Sequence, residues 1–368
     1  MRIAILHPTY WPEVRRGSER LAHDLGAALS ARGHEVTLLT SHDAATTESI
    51  EDGIRVVRDR RPPRPPGAHL YEDHVATVPQ TVWRLLAGRF DLAHALLPVS
   101  GWTASRARRL GGPPYVLSVH GILNREYLVN RRYRLEMLKA AMADAEATSV
   151  LSEAAVEPFR RFALGEPVIL PGGVIGANYA GERSPSTAPM FLCAASLDDP
   201  RKRGALLMEA FARVRGEIPD ARLVLVGGEG MAANGLPEGV ERLTVDRTDA
   251  LARAYRSAWA TVLPSIHEAF GLVLLESLAA GTPVVAARSG AAPEVAGGEG
   301  TGRLFEPDDE EDLARAMREA LDLSTAPGSA ERCREQASVY DWDRIVESYE
   351  RVYAAAAGDP ERAGASGS

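Results

Sequence analysis

The sequence predicts an α/β protein made of two successive open sheets, and three observations carry this. Short apolar or β-branched runs alternate with helical-period segments from Arg2 onward; a Ser/Pro-rich stretch without periodicity, Gly181 to Pro189, interrupts them; the alternation restarts at Met190. At 368 residues the chain also exceeds one ordinary domain.

Arg2 to Leu6 reads as a buried strand, Ser18 to Ala31 as a helix with Leu21, Leu25, Ala28 and Leu29 on one face, and Glu35 to Thr40 as the returning strand. The loop between strand and helix holds Gly17 but no G-x-G-x-x-G turn, which disfavours an NAD enzyme. Gly17 can offer its N–H to a phosphate ahead of a Ser18 cap; a plain capping turn fits equally. Ile54 to Val57 is expected as a strand, RRPPRPPG as a stiff surface loop, Val78 to Leu86 as a helix, and Leu92 to Leu97 and Pro114 to Val119 as strands. The last empties into His120-Gly121. Ligands of open α/β sheets bind outside the carboxyl ends of strands, so His120 reads as a site residue ahead of a structural histidine. Thr148 to Leu151 and Val168 to Leu170 close the first sheet. In the second half Met190 to Ala194, Arg222 to Val226, Leu243 to Val245 and Ala260 to Leu263 are strands and Ala205 to Val214 a helix. Gly227 to Gly230 is a glycine-rich strand exit. The turn between Ala194 and Ala205 carries Arg201, Lys202 and Arg203; Lys202 can meet a phosphate as a point charge, with a solvated basic turn as the alternative.

Composition bounds the function. Hydrophobic residues make up 45% and charged residues 25%, as in a globular protein. Residues 1–180 carry 22 Lys+Arg against 19 Asp+Glu, and the remainder 20 against 31, too small a basic surplus for a nucleic-acid protein. Basic clusters at Arg15-Arg16, Arg58 to Arg64 and Arg125 to Lys139 suit an anionic membrane surface or acceptor, or are solvated loop charge. Cys193 and Cys333 fit no metal or redox spacing, and no signal peptide or membrane span is read, so a cytoplasmic setting is expected, with peripheral attachment to the inner membrane face as the other possibility. Asp341-Trp342-Asp343 imitates a metal-binding pair, but Trp342, Ile345, Val346, Tyr349 and Val352 keep helical spacing, so Asp341 reads better as a cap.

The most informative stretch is Pro264 to Val285, PSIHEAFGLVLLESLAAGTPVV. Leu272 to Leu278 reads as a helix stopped by Gly281 and Pro283. Glu268 lies before it and Glu276 about a turn inside. The helix leaves the N–H groups of Gly271, Leu272 and Val273 without internal partners, and its dipole adds positive charge there. A phosphate at that end, flanked by carboxylates that accept from hydroxyls, suggests a ligand such as a sugar nucleotide. A buried helix with a solvated glutamate at each end fits as well from this stretch alone.

HEAFGLVLLESLAAGTPVVA resembles the paired-glutamate motif of retaining glycosyltransferases of the GT-B fold, in glycosyltransferase family 4, and the likeness runs from Gly17 and RGHEV to YDWDRIVESYERVY. The turn LDDPRKRG is similar to that of phosphatidylinositol mannosyltransferases. The resemblance implies two Rossmann-like domains facing a central cleft, with the C-terminal helix crossing back: an acceptor-binding domain over 1–183, a donor-binding domain over 190–340 and a returning helix over 341–357; the last stretch, GDPERAGASGS over 358–368, reads as a disordered tail. It implies a UDP- or GDP-sugar donor, a lipid, glycan or small-molecule acceptor, and no metal or other cofactor. Glu268 would accept from the transferred sugar and Glu276 from the ribose. Phe270, Gly271, Leu272 and Val273 would line the diphosphate with Lys202, Arg201 and Gly17, and His120 would position the sugar. The sequence departs from the family at Arg16-Gly17, where two glycines are usual, at Ser196, where an arginine is, and at Gly172 to Ile175, where Asn-Gly-Val-Asp is. Arg201 or Arg203 is expected to replace the missing charge. A non-catalytic nucleotide-sugar binding protein and a sugar-nucleotide epimerase stand as alternatives, whereas a phosphorylase lacks its lysine setting.

Overall fold

The computed structural model describes residues 1–14, 16–63, 73–125, 132–197, 199–227, 235–245 and 248–358, with backbone only at 73, 132 and 133. The chain forms two compact units: Met1–Pro171 with the segment from Trp342 onward, and Gly172–Asp341.

In the first unit the elements run β1 (Arg2–Leu6), α1 (Gly17–Ala31), β2 (Glu35–His42), β3 (Thr47–Glu51), β4 (Ile54–Arg60), α2 (Val78–Ala87), β5 (Leu92–Ala95), α3 (Pro98–Arg109), β6 (Tyr115–Val119), α4 (Arg132–Ala143), β7 (Ala147–Val150), α5 (Val156–Arg161) and β8 (Val168–Ile169). Its sheet has the order β3-β4-β2-β1-β5-β6-β7-β8. Every pairing is parallel except β3 with β4. The two are joined by Asp52-Gly53, both at positive φ (48° and 80°), as a two-residue hairpin turn requires. The buried faces of Ile3, Ile5, Leu38, Val56, Leu92 and Val116 read as continuous apolar strands because helices cover a parallel sheet on both sides.

The second unit runs β9 (Met190–Cys193), α6 (Gly204–Glu217), β10 (Arg222–Val226), β11 (Val240–Leu243), α7 (Thr248–Ser257), β12 (Ala260–Leu263), α8 (Leu272–Ala279), β13 (Val284–Ala287), α9 (Ala292–Ala296), β14 (Gly302–Phe305), α10 (Glu310–Thr325) and α11 (Ser329–Ser338). Its sheet is parallel, in the order β11-β10-β9-β12-β13-β14. The last helix, α12 (Trp342–Ala356), belongs to the first unit, where Glu350 pairs with Arg32 at 2.9 Å and Tyr353 bonds to His94 at 2.6 Å.

The two open sheets are as the sequence predicts, and several details differ. The hairpin strand β3, strand β14 and helices α3, α5, α7, α9 and α11 were not expected. The basic cluster Arg125 to Lys139 lies on a helix, α4, from Arg132 on. The strand expected at Leu243 to Val245 lies at Val240–Leu243. Ser18 is not a cap: Arg16 occupies that position without a side-chain capping bond, and the Ser18 hydroxyl donates to Glu19 at 3.1 Å. Asp341 accepts from the Gly176 N–H at 3.1 Å. Gly181 to Pro189, expected as the linker, lies inside the second unit because Arg183 donates to Ala258 O at 2.8 Å and Ser324 O at 3.0 Å. Half of RRPPRPPG, three residues of the Gly227 to Gly230 exit, and the expected tail from 359 on fall outside the described residues.

Candidate active site

In the second unit the chain leaves β9 for one side of the sheet and returns to β12 on the other, and the loops after these two strands lie at that reversal, where open α/β sheets bind ligands. One loop supplies Lys202 and the other Glu268. The Lys202 ammonium donates to Glu268 Oε2 at 2.7 Å, with both side chains partly buried. Each loop is held in place. Asp199 accepts from the Arg201 N–H at 2.9 Å and starts the short 3₁₀ turn that ends at Lys202. The Ile266 N–H reaches across to Arg201 O at 3.0 Å, and Glu268 O accepts from the Ala291 N–H at 2.8 Å.

Glu268 leads into Gly271, whose φ of 97° makes it the left-handed residue before α8. A side chain there would be strained, so glycine is the natural occupant. The first helical N–H groups to be paired are those of Leu274 and Leu275, both donating to Gly271 O, so the N–H groups of Gly271, Leu272 and Val273 come at the positive end of the helix. Phe270 is buried edge to face on Tyr340 at 5.3 Å, so what it can offer a ligand is its backbone. Glu276, only 3% exposed, accepts from the Tyr255 hydroxyl on α7 at 2.8 Å. An ionised carboxylate accepts about four hydrogen bonds, of which the Tyr255 hydroxyl supplies one. Arg201 and Arg203, expected to replace a missing phosphate charge, are engaged by acids: Arg201 by Asp199 at 2.6 Å, and Arg203 by Asp308.

In the first unit His120 follows β6 as expected. Neither ring nitrogen has a hydrogen-bond partner among the described residues. Burial lowers its pKa well below the usual value, and His7 and His94 add to the shift, so the ring is neutral near pH 7. His94 is fully buried between the Ser118 hydroxyl at 2.7 Å and the Tyr353 hydroxyl at 2.6 Å, and burial brings its pKa down to about 3. His7 is likewise lowered by burial, against the pull of Glu19, and its Nδ1 donates to Thr9 O at 2.6 Å. Gly17 is the exposed first residue of α1.

The structure thus brings together Lys202, Glu268, Gly271, Leu272, Val273 and Glu276 within the second unit, and places His120 and Gly17 in the first. Sequence reasoning missed Tyr255 and the neighbours His7 and His94. Among the described residues no group of three or more His, Cys, Asp or Glu side chains is arranged to hold a metal.

Residues 16–172 match the model of the glycosyl transferase 4-like domain, and residues 178–339 that of the glycosyl transferases group 1. The chain is 27% identical to glycogen synthase of Mycobacterium tuberculosis H37Rv, over 97% of this chain and 95% of that one. Its fold is similar to that of sucrose-phosphate synthase from Thermosynechococcus elongatus, with a TM-score of 0.80 at 24% identity over 96% of this chain and 98% of that one. It is also similar to HepE of Anabaena in complex with UDP-glucose, with a TM-score of 0.71 at 21% identity over 95% and 98%. The fold is GT-B, and the two domain matches, over 16–172 and 178–339, make the chain a glycosyltransferase. Within that class the chain belongs to the family that joins a 4-like domain to a group 1 domain.

Proposed function

We propose that the chain transfers a sugar, with retention of configuration and without a metal, from a UDP- or GDP-sugar to an acceptor hydroxyl in glycolipid, polysaccharide or glycoconjugate synthesis. The observation that carries this is the Lys202–Glu268 pair set before the N-terminus of α8, with Glu276 held by Tyr255 on the same helix. One cation, a run of backbone N–H groups and two carboxylates suit a ligand carrying both phosphates and hydroxyls. Glu268 accepts from the transferred sugar, Glu276 from the ribose, and Lys202 with the N–H groups takes the diphosphate, joined by Gly17. As the glycosidic bond breaks, negative charge builds on the departing diphosphate and positive charge on the ring. Fixed donors aimed at that phosphate favour this state without reorganising. No side chain is assigned as nucleophile: the leaving phosphate takes the acceptor's proton. The neutral His120 ring positions the sugar, and the first unit takes the acceptor.

The test is a panel of UDP- and GDP-sugars screened by thermal shift, followed by turnover with the best donor in the presence of a chelator. The expected product keeps the donor's anomeric configuration by NMR. Inversion would overturn the retaining mechanism, rescue only by Mn²⁺ or Mg²⁺ the metal independence, and binding without turnover the enzymatic reading.

A further inference from the structure

The first unit contains a cavity of about 310 Å³ lined by Tyr10, Trp11 and Glu13 of the loop after β1, by Thr40 and Asp43 at and beyond the end of β2, and by Arg58 of β4. Its size falls at the lower edge of the about 300–1,000 Å³ usual for small-molecule pockets, enough for one or two sugar rings.

Its walls are rigid and its cations are used up. Arg58 is bound to Glu51 at 2.8 Å and 3.0 Å, and donates to Ser49 at 2.9 Å and Trp11 O at 3.0 Å. Behind the wall, the buried Arg61 meets Glu13 at 2.9 Å and 3.2 Å, Asp43 at 3.0 Å, and both the carbonyl and hydroxyl of Ser41. The basic cluster that suggested an anionic partner is, at these two positions, internal pairing. Three carboxylates stand against these two guanidiniums. Trp11 is fixed as well: its ring stacks on His23 at 4.5 Å and on Tyr10 at 5.7 Å. His23 has Asp24 at 3.0 Å on one ring nitrogen and Asp52 at 2.9 Å on the other, a setting that favours the protonated ring.

Two polar groups remain unmatched. Tyr10 is 2% exposed and Thr40 7%, and neither hydroxyl has a partner among the described residues. A buried hydroxyl without a partner is costly unless a water or ligand supplies the bond. Burial, with the charge of Glu51 next, raises the Tyr10 pKa, so its hydroxyl stays a donor.

We propose that this cavity is a subsite for a neutral sugar or polyol, which makes the acceptor an uncharged carbohydrate end and not a phosphorylated one. Aromatic lining from Trp11 and Tyr10 suits the C–H face of a pyranose, and the Asp43 and Glu13 carboxylates at the rim accept from its hydroxyls. A phosphate here would face carboxylates with no lining guanidinium to spare among the described residues. The inference rests on the glycosyl-transfer reading for its meaning, but it can be measured without it.

The intact protein, without nucleotide, is titrated with glucose, maltose and myo-inositol and with glucose 6-phosphate and myo-inositol 3-phosphate, followed by tryptophan fluorescence and saturation-transfer NMR. At least one neutral member is expected to bind, with its phosphate at least about tenfold weaker. Trp11→Ala should abolish the fluorescence response, and Asp43→Asn, which keeps an oxygen to accept from the buried Arg61, should weaken neutral binding several-fold and narrow the discrimination. Tighter binding of a phosphate, no binding by any neutral member, or affinity unchanged in Asp43→Asn overturns the proposal. Adding UDP to the same samples by calorimetry reports on the donor side separately, so failure of this subsite and failure of the transfer reading are distinguishable.

Discussion

The two units hold polar side chains in opposite ways. In the second, Lys202 and Glu268 meet as full charges at 2.7 Å on two loops at the edge of the sheet. In the first, His7, His94 and His120 come from the carboxyl-end region of three neighbouring strands, and burial keeps all three neutral. One device answers to a ligand's charge; the other avoids carrying charge at all. The first is therefore sensitive to losing a partner, the second to gaining a proton.

Removing the cation should break this comparison most visibly. Lys202→Ala is expected to lower kcat about 10²–10³-fold with a smaller change in donor affinity, since it acts on charge that grows in the transition state. Steady-state kinetics that show only a raised KM would assign it to ground-state binding instead. Glu276→Ala should weaken nucleotide binding by about 1.5–3 kcal/mol, or tenfold and more, by loss of charge-assisted bonds. Calorimetry with UDP and GDP measures this, and unchanged affinity refutes the ribose role.

The first unit should respond to acid. His94 has a folded pKa of about 3 against the usual 6.5, so the unfolded chain takes up its proton first, and the stability this group contributes is present above 6.5 and lost as pH falls. The expected slope is about 1.4 kcal/mol per pH unit below 6.5 for each histidine held neutral. Urea melts between pH 7 and 5 measure the slope, and His94→Gln should reduce it whatever it does to the absolute stability. His23 runs the other way. Its pKa is raised because Asp24 and Asp52 outweigh its burial, so its contribution is present below 6.5 and is lost as pH climbs through that raised value. The smallest effect is expected from Tyr255→Phe. It deletes one bond to Glu276 and should cost about 0.5–1.5 kcal/mol in nucleotide affinity without touching Lys202. A loss as large as that of Glu276→Ala would mean that the phenol itself meets the ligand.

The second unit was the more legible in sequence for a physical reason. Its acids lie within one stretch, and a glycine with a required left-handed conformation stands between them, so spacing alone placed Glu268 before the helix and Glu276 inside it. Tyr255 left no comparable mark: it is 21 residues from Glu276 and meets it only once α7 packs on α8. The histidines were hidden similarly, because their proximity depends on the strand order β1-β5-β6, which no local pattern encodes. Other misses had readable signals. Asp52-Gly53 between two β-rich runs is a hairpin signature, and Leu135, Leu138 and Met142 mark a helix that the surrounding arginines disguised. Arg58 and Arg61 show the opposite error, where a run of basic residues looks like surface charge until the folded chain brings carboxylates to meet it.

The return of α12 bears on how the protein is made. Trp342, Ile345, Val346, Tyr349 and Tyr353 are buried, and the Tyr349 hydroxyl donates to Pro171 O at 2.9 Å, where the first pass through this unit ends. During synthesis, domains generally fold in the order in which they emerge. Here the second unit is one uninterrupted stretch and is complete at Asp341, while the first waits with an open apolar face for the last helix to leave the ribosome. The half that is begun first is finished last.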